Sequence, residues 1–141
     1  MKKKSFWVWL LLSAAWIGVI LWHSSQVAEA SDAESLGLLY YVQKIFPWMT
    51  NNLLRKCGHF AEFSVLGFLL TGVFHSLRNF ILLKPISCGL FVALCDETLQ
   101  RFVPGRSGNV KDLWIDLGGV VFGTLLLWLF FRLRDRKKKK K

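Results

Sequence analysis

The hydrophobic positions of the chain fall into four long runs separated by short polar segments. The runs lie at about residues 6–22, 56–77, 80–100 and 112–131. Each is close to the roughly 20 residues that an α-helix needs to cross the hydrocarbon core of a bilayer. The pattern therefore predicts an all-α protein, a small transmembrane four-helix bundle that forms a single domain over residues 1–141.

The first run admits a second interpretation, as the core of a signal peptide. Phe6–Trp22 contains no charged residue and follows the basic segment Lys2–Lys4. The sequence Ala28-Glu29-Ala30 before Ser31 matches the small-residue pattern of a cleavage site. The run is longer than the usual hydrophobic region of roughly 7–15 residues, so we predict an uncleaved anchor. Cleavage before Ser31 would leave three spans.

The loop between the first two runs contains an aromatic-rich stretch, Leu36–Trp48, that is too short to cross a membrane. We predict that it is an interfacial helix lying flat at the membrane surface and ended by Pro47. Packing of the same stretch over the bundle is the alternative.

Charge is concentrated at the two ends of the chain. The formal net charge is +10, with Lys2–Lys4 at the start and a basic tail over residues 132–141. Basic segments beside membrane-spanning helices mark cytoplasmic flanks, so both termini are predicted to be cytoplasmic. The turn at Arg78 and Asn79 would then also lie inside. No basic and aromatic surface accompanies the tails, so membrane lipids, and no nucleic acid, are the predicted partners.

The three cysteines, Cys57, Cys88 and Cys95, lie in apolar segments. Their number is odd and their spacing is not that of a metal site. They are predicted to be small core residues rather than parts of a disulfide or a zinc site.

Polar residues interrupt three of the four apolar runs at the ends that this topology places outside. Ionisable groups in a bilayer are costly unless they pair or line a wet cavity, so we predict that they form one outward-facing substrate-binding site. Its residues are Lys56, His59, Glu62, Asp96, Glu97, Gln100, Arg106, Asp112 and Asp116.

Three motifs in this region resemble those of the VanZ family. They read Lys56-x-x-His59-Phe60-x-Glu62-Phe63, Asp96-Glu97-x-x-Gln100-x-Phe102-x-Pro104-Gly105-Arg106 and Asp112-x-x-x-Asp116-x-x-Gly119-x-x-x-Gly123. The resemblance implies a multi-pass integral protein of the bacterial cytoplasmic membrane. It also implies a role in the cell envelope and in resistance to teicoplanin-type glycopeptides, with which the family's named member is associated. The chain departs from the family at Asp116, where many relatives have Asn, and at Phe63, where Tyr is common.

The same residues support two functional hypotheses. In the first, Lys56, His59, Gln100 and Arg106 bind an anionic or amide-bearing headgroup, such as that of a lipid-linked cell-wall precursor. In the second, the protein is a membrane enzyme. Its candidate catalytic residues, as acid, base or ligands of a divalent metal, are His59, Glu62, Asp96 and Glu97. No nucleophile motif accompanies them, and the sequence assigns no resident metal or other cofactor.

A structural alternative is an ion-pair network that only locks the helices together. It would pair Lys56 with Glu62, Arg106 with Asp96, and Glu97 with Arg101. His23 and His75, near helix ends, are expected at the membrane interface. The Gly119-x-x-x-Gly123 pair permits close helix contact, either inside the bundle or in a homodimer.

Overall fold

The computed structural model describes residues 3–77, 80–106 and 108–139, and these residues form five α-helices without a β-strand. The helices are α1 (Lys3–Ser25), α2 (Ala28–Val42), α3 (Asn51–Ser76), α4 (Leu83–Phe102) and α5 (Val110–Lys139). The all-α prediction is confirmed. The turn predicted at Arg78 and Asn79 lies outside the described residues.

Three of these helices are long and apolar enough to cross a membrane. They contain the candidate spans Lys4–Ser25, Asn51–Ser76 and Val110–Lys137. Helix α4 has 20 residues, which is sufficient length, but it carries Lys84 and several charged residues in its last turns. The fourth span therefore stays a prediction, while the membrane character of the other three is clear from length and composition.

The helices extend past the apolar runs that predicted them. Helix α1 continues to Ser25 and α5 continues into the basic tail as far as Lys139. Helix α3 starts at Asn51, one residue after Thr50, whose hydroxyl accepts a hydrogen bond from the backbone N–H of Leu53 at 3.3 Å. Hydropathy reports only the lipid-facing part of a helix, whereas polar turns and caps continue the helix beyond it.

Helix α2 corrects the prediction for the first loop. It begins at Ala28 and ends at Val42, so it starts before the stretch Leu36–Trp48 and stops short of Pro47. Its first half is polar and rich in alanine, which favours a helix but gives no hydropathy signal. Arg55 Nη1 in α3 lies 2.7 Å from Asp32 Oδ1 and ties α2 to the bundle.

Helices α3 and α5 approach each other closely because glycines face the contact. A Cβ added at Gly119 would lie 2.5 Å from the Phe60 carbonyl oxygen, and one at Gly123 would collide with the carbonyl of Ser64. The Gly-x-x-x-Gly pair therefore serves packing within the bundle. Around it lies the apolar core, formed by Ile20, Phe63, Leu66, Leu70, Val92, Ala93 and Val120.

The prediction that the three cysteines are core residues was wrong. Cys57, Cys88 and Cys95 are all exposed on the outside of the bundle and none forms a disulfide with another described residue. In so small a bundle each helix presents more surface outward than inward, and an outward position in a lipid-facing segment is apolar as well.

Candidate functional site

Polar side chains from four helices meet at one end of the bundle. This end contains the last turn of α1, the first half of α3, the last turns of α4 and the first turns of α5. The contacts that show this are His23 of α1 with Glu62 of α3, and His59 of α3 with Asp116 of α5. Ser24 of α1 likewise donates a hydrogen bond to Asp96 of α4. We call this region the polar end.

Asp116 and His59 form the pair at its centre. His59 Nδ1 lies 3.2 Å from Asp116 Oδ1. The Asp116 side chain is 0% exposed, and its second oxygen, Oδ2, is buried without a hydrogen-bond partner in the described part of the chain. One half of this carboxylate is therefore bound by the protein and the other half is not.

Asp96 is bound at both oxygens. Its Oδ1 accepts a hydrogen bond from the Ser24 hydroxyl, and its Oδ2 accepts one from Gln100 Nε2 at 2.9 Å. Gln100 lies four residues after Asp96, which places both side chains on the same face of α4. Gln100 Nε2 is also 3.3 Å from Ser24 Oγ, so the three side chains form a closed hydrogen-bonded group.

His59, Asp96 and Asp116 come together as a compact cluster, which we call the His–Asp–Asp cluster. One potential ligand atom from each lies within 4.8 Å of the others. Both carboxylates are buried, and no Lys or Arg of residues 3–77, 80–106 and 108–139 forms a salt bridge with either. An imidazole and two carboxylates in this arrangement can transfer protons or bind a cation.

The side chains of Glu62 and Glu97 form hydrogen bonds outside the His–Asp–Asp cluster. Glu62 Oε1 lies 2.6 Å from His23 Nδ1, and Trp16 Nε1 donates to the Glu62 backbone carbonyl at 2.9 Å. Glu97 Oε2 accepts a hydrogen bond from the backbone N–H of Asn109 at 2.7 Å, which ties the loop before α5 to α4. These two glutamates hold elements of the polar end in place, with α1 fixed by one and the loop fixed by the other.

Two cavities open beside the cluster. The larger, of about 500 Å³, is bounded by α2, α3 and the loop between α4 and α5, and the smaller, of about 230 Å³, lies between α1, α2 and α3. His59, Arg55 and Arg106 line both. Among the other predicted site residues, the larger cavity is lined by Lys56, Gln100 and Asp112, and the smaller by Glu62.

The sequence profile of the VanZ/LLP1 family matches residues 8–131 of the chain. That match covers most of the protein and every residue of the polar end. The chain belongs to the VanZ/LLP1 family. No curated protein and no solved structure matches it significantly. The resemblance read from the three motifs is thus confirmed, and the protein is a VanZ-family membrane protein with apolar helices.

Arg106 is a partly buried cation of this VanZ-type site. Its Nε is buried and has no hydrogen-bond partner among the residues described. Burial lowers the pKa of Arg106, and the nearby charge of Arg55 lowers it further. A guanidinium keeps its proton at neutral pH even so, and the two arginines therefore place positive charge on the walls of the cavities.

The ion pairs of the structural alternative do not form within the described parts of the chain. Glu62 binds His23 rather than Lys56, and Asp96 binds Ser24 and Gln100 rather than Arg106. Glu97 binds the backbone of Asn109 rather than Arg101. The three pairs that this alternative named are therefore wrong, because His23, Ser24, Gln100 and the backbone of Asn109 bind these carboxylates instead.

Sequence reasoning missed what the last turn of α1 contributes to the site. His23 was expected at the membrane interface, but it pairs with Glu62, and the adjacent Ser24 is buried against Asp96. The polar sequence His23-Ser24-Ser25 directly after an apolar run was the available signal. His75, by contrast, lies at the opposite end of α3 and stacks on Phe131 with ring centroids 3.9 Å apart.

Proposed function

We propose that this VanZ-family protein binds the phosphate- or pyrophosphate-bearing headgroup of a lipid-linked cell-wall precursor at the polar end. Binding would occur at the outer leaflet of the bacterial cytoplasmic membrane. It would contribute to teicoplanin-type glycopeptide resistance by withholding or altering that headgroup. The observation that carries the proposal is the larger cavity, which Arg55, Lys56 and Arg106 line beside the lipid-length helices.

The chemistry of the cavity wall supports an anionic ligand. Asp32 already neutralises Arg55 in part through the 2.7 Å ion pair, whereas Arg106 has a buried nitrogen without a hydrogen-bond partner among the described residues. Arg side chains suit phosphate oxygens because two N–H groups can contact two oxygens at once. A headgroup oxygen would satisfy Arg106 and offset the cost of its burial.

The length of α5 and the charge at its end support an outward orientation of the polar end. The polar end is at the start of α5, and the basic residues begin at Arg132, about 22 residues after Val110. At 1.5 Å per residue that separation is about 33 Å, which is close to the thickness of the hydrocarbon core. If the basic tail is cytoplasmic, as charge bias predicts, the polar end opens to the exterior. An even number of spans, with α4 as the fourth, would complete this single-domain topology.

The test compares Arg106→Ala with Arg134→Ala, an exposed arginine at the far end of α5. Protein in nanodiscs would be titrated with a polyprenyl pyrophosphate, and teicoplanin sensitivity would be measured in cells that express each variant. Hydrogen bonds to a charged group contribute about 1.5–3 kcal/mol, so Arg106→Ala should weaken binding at least about tenfold and remove resistance. Arg134→Ala should match the wild type. Wild-type affinity of Arg106→Ala at equal protein level would refute the proposal.

The His59–Asp116 pair favours a second candidate function, hydrolysis of the bound headgroup. An imidazole held by a buried carboxylate is a common general base, and His59 lines both cavities. In that case purified wild-type protein would release inorganic phosphate from the polyprenyl pyrophosphate. His59→Gln would bind the lipid but release no phosphate. A wild type that binds without release would leave binding alone as the function.

A further inference from the structure

Among the described residues, neither aspartate of the His–Asp–Asp cluster forms a salt bridge with a Lys or an Arg. Asp96 is 1% exposed and Asp116 is 0% exposed. Two carboxylates in so enclosed a place repel each other, and desolvation penalises the charged form of each. The single imidazole of His59 can offset at most one negative charge. A bound divalent cation would balance both carboxylates with His59 neutral.

The spacing of the cluster suits one small metal ion. Zinc and similar ions lie about 2.0–2.2 Å from imidazole nitrogens and carboxylate oxygens, so two ligands of one ion are separated by at most about 4.4 Å. The ligand atoms of His59, Asp96 and Asp116 lie within 4.8 Å of one another. Shifts of the ligand atoms by a few tenths of an ångström would bring all three into contact with one ion.

An independent observation is the unpartnered oxygen of Asp116. The Asp116 side chain is fully buried, and its Oδ2 accepts no hydrogen bond from a described residue. Leaving such an oxygen unsatisfied costs about 1–3 kcal/mol, more for a charged group. A metal ion is a partner that suits a carboxylate oxygen lying beside an imidazole and a second carboxylate.

Hydrogen bonds hold the Asp96 carboxylate in the way that metal-binding carboxylates are held. The Ser24 hydroxyl and the Gln100 amide hold its two oxygens from two different helices. Metal-binding carboxylates are usually hydrogen-bonded in this way, which fixes their orientation. On the other side, His59 lines both cavities, so an ion at the cluster would be reachable from outside the protein.

We propose that His59, Asp96 and Asp116 bind one divalent metal ion of the zinc or manganese class at the inner wall of the cavities. Three protein ligands with mixed nitrogen and oxygen atoms leave at least one coordination position open, as in catalytic rather than structural metal sites. Of the three ligands, His59 lines the cavities, and through them an oxygen of an anionic ligand or a water molecule could reach the open position. The ion goes beyond the headgroup-binding function and does not depend on it.

The test measures metal content directly. Tag-free, full-length protein in detergent would be stripped with a chelator, loaded with zinc chloride or with manganese chloride, desalted and analysed by elemental mass spectrometry. The wild type should retain one ion per chain of at least one of the two metals. Asp116→Asn and His59→Gln should each retain less than a tenth of that amount. Ser24→Ala, which only loosens the hold on Asp96, should bind roughly 10–100-fold more weakly.

The control is Glu29→Gln, which removes one carboxylate from the exposed start of α2 and should retain the ion like the wild type. Size-exclusion elution and helical circular dichroism would show that each variant is folded. A wild type that retains neither metal, or a folded Asp116→Asn variant that retains as much as the wild type, would overturn the metal site. Lipid titration of the stripped protein separates the two ideas, because Arg106-dependent binding without any ion would leave the proposed function standing.

Discussion

The two halves of the bundle treat buried polar atoms differently. In the apolar half, the hydroxyls of Thr71 and Thr124 both donate to the Gly67 carbonyl, at 2.8 and 3.4 Å. In the polar end, several buried side-chain atoms have no hydrogen-bond partner among the described residues. These atoms are Asn51 Oδ1, Glu97 Oε1, Arg106 Nε, Asp112 Oδ1 and Asp116 Oδ2. Because each such atom costs free energy, the polar end is less well satisfied than the apolar half, and this is the region in which we propose that a ligand binds.

The packing of the two halves differs in the same sense. Backbone contacts at glycines bring α3 and α5 together in the apolar half, where Phe63 and Val120 are fully buried. At the polar end the helices separate around the cavities, and α2 contacts them mainly through side chains such as Asp32. Three substitutions test this division, beginning with the one of largest expected effect.

Gly123→Ala should destabilise the apolar half strongly. Its Cβ would collide with the backbone carbonyl of Ser64, and a backbone cannot move aside without separating α3 from α5. We expect a loss of about 3 kcal/mol or more, at the upper end of overpacking costs, measured by equilibrium unfolding in mixed micelles. The matched control is Gly118→Ala on the same helix, whose Cβ would lie 3.8 Å from the Phe60 ring. Equal stability of the two variants would contradict the close contact.

Asp116→Asn should have a smaller effect on stability. It should weaken the proposed metal binding without lowering the stability of the fold. The amide keeps the shape of the carboxylate and removes a buried charge, so the free energy of unfolding should stay within about 1 kcal/mol of the wild type or rise. The exposed Asp135→Asn substitution controls for the loss of one charge. A decrease of about 3–5 kcal/mol, as expected for a broken buried ion pair, would show that Asp116 stabilises the fold.

Asp32→Asn should have the smallest effect. Its ion pair with Arg55 is partly exposed to solvent, and such pairs contribute about 0–1 kcal/mol. Global stability should therefore hardly change, while the amides of α2 should exchange hydrogen faster because the helix is held less firmly. Hydrogen exchange measured by mass spectrometry would show this, with Glu29→Gln as the comparison on the same helix. Unchanged exchange in α2 would mean that other contacts hold it.

The sequence predicted the helical class, the family and the clustering of polar residues at one end of the bundle, because these depend on composition over long stretches and on residue types. That this cluster is a binding site stays a prediction. Four apolar runs imply helices, and polar residues such as His59, Asp96 and Asp116 stand out against them. Alternating helix direction then brings the first half of α3, the last turns of α4 and the start of α5 together, and the proximity of His59, Asp96 and Asp116 agrees with this.

Partner choice was not predictable in the same way. The structural alternative paired Glu62 with Lys56 by charge, but Glu62 binds His23, which is distant in sequence. Ser24 and Trp16 bind Asp96 and Glu62 through geometry that exists only once α1 has packed. Hydropathy also underestimated α2, because its alanine-rich polar turns give no apolar signal. Features that arise from tertiary contact between small or polar side chains leave little trace in a single sequence.

The outward position of the cysteines makes them native reporters of how the chain sits in its bilayer. Cys57 and Cys95 are near the polar end of α3 and α4, while Cys88 lies two turns deeper along α4. Since none of them contributes to the core, single-thiol versions of the chain can be made by replacing the others with serine. A water-soluble maleimide applied to intact cells would then read depth and sidedness residue by residue, without adding any foreign attachment point.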